Sequence, residues 1–208
     1  MTLSKNLAAE ISIEYKKVSA EFSHFQNSNK LSCIEGCGKC CMKNVSCTPI
    51  ELLPMAYDLL ERGKAESVIE KAINYKGENC FLFAVSNQST GMGTCTEYNN
   101  RPLVCRSFGV AARKGKNDLV QYSVCRPLKE NKTEQYAELL NKKFSDISIP
   151  FIEILSSRLA ALDPAFFEEE LPINQSLAIV LEKVLMHAYY AGPLTTASPE
   201  TLNFPSSP

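Results

Sequence analysis

Apolar side chains at Leu7, Ile11, Tyr15, Val18, Phe22 and Phe25 recur in steps of three and four, which lines one face of a helix over residues 3 to 26. The polar cluster Asn27-Ser28-Asn29-Lys30 ends that pattern. A second helix is predicted from Thr48-Pro49-Ile50-Glu51, with Thr48 as N-cap, Pro49 in the first turn and Glu51 reaching back in a capping box. It should reach about Arg62, with a kink or restart at Pro54. Cys47 precedes the cap, where an apolar side chain packs on Leu52 as a staple. A short helix follows from about Lys64 to Tyr75, broken by Gly77. Helical spacing returns after Asn131 with Tyr136, Leu140 and Phe144, then Phe151 to Leu162, then Leu177, Val180, Leu181, Val184 and Leu185 up to Gly192-Pro193.

Between these segments the periodicity changes. Ser107 to Ala112 reads as a strand, and Leu119 to Val124 alternates Val120, Tyr122 and Val124 with Gln121 and Ser123 as its partner. A turn at Lys114-Gly-Lys-Asn117 makes them a hairpin, which would set Cys105 beside Cys125. The pattern therefore predicts a mainly α protein with a small β-hairpin. Its expected division is an N-terminal helix plus cysteine-rich module over 1–130, C-terminal helices packed on it over 131–194, and a disordered Thr/Ser/Pro tail over 195–208.

Composition narrows the function classes. The chain has 208 residues, 45% of them hydrophobic, and a formal net charge of -1. It can bury a substantial core, and it offers no overall basic field or Lys/Arg run to attract nucleic acid or an anionic membrane. No segment approaches the ~18 to 20 apolar residues of a membrane span, and the charged N-terminus lacks the apolar run of a signal peptide. A cytoplasmic protein is expected. In a reducing compartment its nine cysteines are metal ligands or redox groups before they are disulfides, and the odd total argues against a fully paired framework.

Four thiols, Cys33, Cys37, Cys40 and Cys41, fall within nine residues, and Gly36 and Gly38 flank Cys37 where closely spaced ligands require a tight backbone. Cys80, Cys95, Cys105 and Cys125 follow singly. His24 and His187 lie in predicted helices away from the cysteines and read as helix-face residues. The candidate ligand set is therefore all thiolate, which selects zinc, an iron-sulfur cluster (4Fe-4S being favoured) or, less readily, copper(I). Neighbouring side chains such as Cys40 and Cys41 point apart in an extended chain, so eight thiols could make two four-thiolate sites or one site with a remainder. Arg101 and Arg106, beside Cys105, are candidates to offset the thiolate charge, whereas Arg126 is more simply a surface ion pair. The Cys33-x3-Cys37-x2-Cys40 spacing matches that by which radical S-adenosylmethionine enzymes hold three corners of a four-iron cluster. The likeness stops there, because the chain lacks the length and alternation of a β/α barrel.

Together, Cys33-x3-Cys37-Gly-Lys-Cys40-Cys41, Cys80-Phe-Leu and Cys95-x2-Tyr98-x2-Arg101-Pro102-x2-Cys105-Arg106-x-Phe108 resemble the YkgJ-type cysteine-cluster family, also described as the CxxCxxCC zinc- or iron-chelating domain, over roughly residues 33 to 125. The resemblance implies a bacterial cytosolic protein that binds a metal ion or cluster. A similar module in flagellin lysine N-methylases implies a link to methyl transfer. Metal binding is thus the leading expectation, beside an iron-sulfur enzyme of redox or methyl-transfer chemistry and a thiol-redox or metal-trafficking protein. No motif identifies a protein partner.

Overall fold

The computed structural model describes residues 3–115, 120–142 and 149–191. The expected tail at 195–208 and most of the expected turn after Lys114 lie outside the described residues. The architecture is mainly α with small two-stranded antiparallel sheets. Helix α1 (Lys5–Ser28) is capped by Ser4, whose hydroxyl accepts from Leu7 N at 3.0 Å, and it buries Leu7, Ile11, Tyr15, Val18, Phe22 and Phe25, the stripe read from the sequence. It ends at Asn29, after which Lys30 takes a positive φ of 54° and turns the chain into the cysteine run.

Thr48 and Glu51 form the expected capping box, but the first turn, Pro49–Leu52, is a 3-10 turn and the α-helix proper, α2 (Leu53–Glu61), restarts with Pro54 in its first turn. A proline there removes a donor that has no partner anyway, so the restart costs little. Cys47 and Leu52 are both fully buried beside this cap. Cys47 also pairs in a short sheet, β1 (Ser46–Cys47) against β6 (Leu171–Pro172), and its carbonyl accepts from Ser176 Oγ at 2.8 Å. Helix α3 (Ala65–Asn74) follows as read.

The cysteine-bearing middle of the chain folds as two hairpins and short helical turns. The first hairpin, β2 (Phe83–Asn87) with β3 (Met92–Cys95), was not expected. Helix α4 (Leu103–Ser107) occupies part of the predicted strand, which begins only at Val110: β4 (Val110–Lys114) pairs with β5 (Val120–Val124). The reason is local. The Glu51 carboxylate accepts from Leu103 N at 2.9 Å, satisfying the first donor of a helical turn, and Gly109, at φ +102°, then redirects the chain into the strand. Helices α5 (Arg126–Asn131), α6 (Thr133–Asn141), α7 (Ile152–Ala160) and α8 (Ile173–Ala191) complete the chain. In α6 the buried leucine is Leu139, while Leu140 is 53% exposed. Tyr136 still packs against the smaller cluster, and the face continues at i+3 to Leu139 rather than at i+4 to Leu140.

Two apolar clusters organise the molecule. The larger joins α1, the 3-10 turn, α2 and α8 through Ile11, Tyr15, Ile50, Leu53, Met55, Leu59, Leu177 and Leu181. The smaller joins the end of α1 to the second hairpin, α5 and α6 through Phe25, Leu31, Val110, Val124, Leu128 and Leu139. The cysteines lie around a space bordered by both. No helix of the described residues is long and apolar enough to cross a membrane.

Candidate metal centre

The run from Cys33 is shaped by two glycines. Gly36 (φ +69°) and Gly38 (φ +61°) allow consecutive tight turns in which Cys37 N donates to Ile34 O at 3.2 Å and Cys41 N donates to Gly38 O at 2.9 Å. Gly38 and Gly93 both lie against the Phe83 ring, so the first hairpin rests on the turn, and Gly93 N donates to Gly36 O at 2.9 Å. Cys80 N donates to Cys41 O, and Phe83 N to Cys80 O, each at 2.9 Å. Since Phe83 is the register partner of Cys95, these bonds place Cys41, Cys80 and Cys95 in one backbone frame.

A cavity of ≈520 Å³ opens at this junction, lined by Cys33, Cys37, Cys40, Cys41, Cys80, Cys95 and Cys105 together with Arg101 and Arg106 and the α1 residues Ser19, Phe22, Ser23 and Gln26. All nine cysteines are free thiols. Cys125, the N-cap of α5, lies outside the lining. Burial raises Cys125, with Cys37 and Cys40 adding to the shift. Cys33 is likewise raised by burial and then by Cys40, Cys125 and Cys37. On the other side, burial pushes Cys80 up to about 11, helped by Cys95, and raises Cys105, helped by Cys80, Cys95 and Cys40. Cys105, on the helical turn of α4, lines the cavity with Cys80 and Cys95, whereas Cys125 lies outside that lining; both thiols have Cys40 as a neighbour. The adjacent thiols Cys40 and Cys41 oppose each other: hydrogen bonding between them raises Cys40 and lowers Cys41. Cys47, in the large core, is raised well above the ordinary thiol value by burial.

The two arginines differ in what they hold. Arg106 is committed to the backbone frame: Nε donates to Arg101 O at 2.7 Å, Nη1 to Ser19 Oγ and Nη2 to Asn99 O at 2.6 Å each, and the guanidinium lies 4.5 Å from the Tyr15 ring centre. Arg101 stacks 3.4 Å above the Tyr98 ring centre and donates to Tyr98 O and, at 3.4 Å, Cys105 O. Among the described residues it has no carboxylate partner. Its charge is the one that lowers Cys33, Cys40, Cys95 and Cys105 against their burial. Arg126 is exposed and paired with Glu130, and His24 and His187 are exposed on helices.

The donor set suits zinc or iron: the cavity is rich in soft sulfur donors, is half shielded from water and has a cation at its wall. Among the described residues, no group of three or more His, Cys, Asp or Glu side chains already stands in a metal-binding arrangement, so thiols would have to turn inward to close on an ion. Two features of the surroundings escaped the sequence. Glu51 anchors the Cys105 helix as well as capping its own turn. The first hairpin carried a usable signal in Phe83-Ala-Val85-Ser followed by Thr90-Gly91.

A cysteine-rich chelating module seated on a helical scaffold is the class that this fold and site define. The chain belongs to the CxxCxxCC family, described as a putative zinc- or iron-chelating domain, whose model matches residues 32–138, just over half of the chain. No curated protein and no solved structure matches.

Proposed function

We propose that this protein binds zinc or iron through an all-cysteine site drawn from Cys33, Cys37, Cys40, Cys41, Cys80, Cys95, Cys105 and Cys125, in a reducing, cytoplasmic compartment. The observation that carries this reading is one cavity that gathers seven of these thiols around Arg101, which among the described residues has no carboxylate partner. Thiolates bound to a metal leave net negative charge, and Arg101 supplies the nearby cation that offsets it, while Arg106 holds the loop on which Arg101 stands. The metal, when bound, supplies the Lewis acidity or electron storage of zinc or iron. The chain's own part is to hold thiols, shield them and compensate their charge.

The test is anaerobic purification of the reduced protein, followed by elemental analysis and a thermal melt with and without a strong chelator. Zinc or iron should co-purify, and chelation should lower the melting midpoint by several degrees, because binding energy enters the folding equilibrium. A metal-free protein with an unchanged melt would defeat the reading. A second reading, an iron-sulfur cluster with one open iron serving redox or methyl-transfer chemistry, is favoured by the Cys33-x3-Cys37-x2-Cys40 spacing and by a cavity far larger than one ion. It requires a brown protein containing acid-labile sulfide, and a colourless zinc protein excludes it.

A further inference from the structure

We infer that the eight cysteines form two separate four-thiolate sites that divide between Cys40 and Cys41: Cys33, Cys37, Cys40 and Cys125 in one, and Cys41, Cys80, Cys95 and Cys105 in the other. The inference rests on the metal-binding reading above and adds the number of sites and the ligands of each.

The two apolar clusters separate five of the thiols in this way. Cys41, Cys80, Cys95 and Cys105 pack against the larger core, whereas Cys125 packs against the smaller one together with Ile34, the neighbour of Cys33. The hydrogen bonds sort them alike. Cys80 is bonded to Cys41 and to the strand position opposite Cys95, which ties one set into the first hairpin. In the other set, Cys125 caps α5, and Lys132 at the far end of that helix donates from Nζ to Ser32 O at 3.1 Å, which ties α5 to the arm carrying Cys33. The turns at Gly36 and Gly38 place Cys37 and Cys40 next along the chain from that arm, beside β3, where Gly93 N donates to Gly36 O.

Chemistry makes the division sufficient on each side. Four thiolates complete the tetrahedral shell of one zinc ion or the ligand set of one iron-sulfur cluster, so eight around one ion would leave four half-buried thiols without a role. In this structure the Cys40 and Cys41 thiols hydrogen-bond to each other, so filling both sites requires that contact to open and each sulfur to turn to its own set. Cys40 sits at the border, lining the same cavity as Cys41, Cys80, Cys95 and Cys105. The two sites are therefore neighbours that share the field of Arg101.

Anaerobic titration of the reduced full chain with cobalt(II), followed by its thiolate-to-cobalt absorption and by zinc competition, tests the division. Saturation at two ions per chain is expected. Cys125→Ser and Cys33→Ser should each bind one ion, as should Cys95→Ser and Cys41→Ser, and the Cys95→Ser/Cys125→Ser double variant should lose tight binding at both sites. These positions are only partly buried, and far-UV circular dichroism of each variant verifies its fold. Saturation at any other number, or single variants from the two sets that abolish the same ion, overturns the division while leaving metal binding intact. Absence of any cobalt or zinc binding by the unaltered chain overturns both.

Discussion

Gly38 has a φ of +61°, and a Cβ placed there would lie 2.3 Å from the Phe83 ring. Gly38→Ala therefore combines backbone strain with a steric push on the first hairpin, and it should lower stability by about 2 kcal/mol, read as a shift in the urea midpoint. Gly63, also at positive φ but with open space around it, serves as the control and should cost less. Glu51 gives a pH signature. Burial holds its carboxyl up at about 7, outweighing the amides of Thr48 and Leu103 that donate to it, against an ordinary value of 4.5. Between those values the folded chain holds the additional proton. Its contribution to stability is therefore full below about pH 4.5 and is lost as pH rises through about 7. Denaturation of the metal-free, reduced protein should reveal a decline on the order of 3 kcal/mol across that window, and Glu51→Gln should flatten it.

At the scale of elements, α7 is fastened to α1 by charge. Arg158 Nε donates to Glu14 Oε1, and Nη1 to Glu21 Oε1, at 2.6 Å each; Lys17 also pairs with Glu14, a largely buried acid. Arg158→Met should cost roughly 1 to 3 kcal/mol in chemical denaturation, because it leaves Glu14 with only Lys17. Glu21→Gln, which breaks the more exposed arm, should cost under about 1 kcal/mol. Elements with strong local codes were legible from the residues: the stripe of α1, the Thr48–Glu51 box and the restart at Pro54 all depend on neighbours in sequence. The start of the Ser107 strand was not, because Ser107 closes a helical turn whose first amide is held by Glu51, a partner far away in the chain. Likewise the sequence offers a leucine at both i+3 and i+4 from Tyr136, and only packing against the smaller core selects Leu139.

Across the whole molecule the sequence revealed which thiols to consider but not which core each one packs against, and the proposed grouping rests on that packing. The larger core is built mostly from α1, α2 and α8, which carry no candidate ligand, while the cysteine loops and hairpins have few apolar residues of their own. Metal removal should then act unevenly. Hydrogen exchange after chelation should rise in residues 33–42 and in β2 and β3, and stay slow in α1, α2 and α8. Uniform loss of protection would mean that the helical scaffold also requires the metal. Arg101→Met, which removes the shared cation and leaves Arg106 in place, should weaken cobalt binding roughly 10- to 100-fold with little change in the metal-free melt.

The burial that raises Cys33, Cys80, Cys95, Cys105 and Cys125, and the hydrogen bond with Cys41 that together with burial raises Cys40, would also decide what leaves when a metal arrives. These sulfurs carry their hydrogens at neutral pH, so each ion captured is exchanged for protons delivered to the solvent. Under the proposed function the chain should act as a proton–metal antagonist: acidification should unload it, alkaline conditions should fill it, and a weakly buffered sample should acidify measurably as zinc is added.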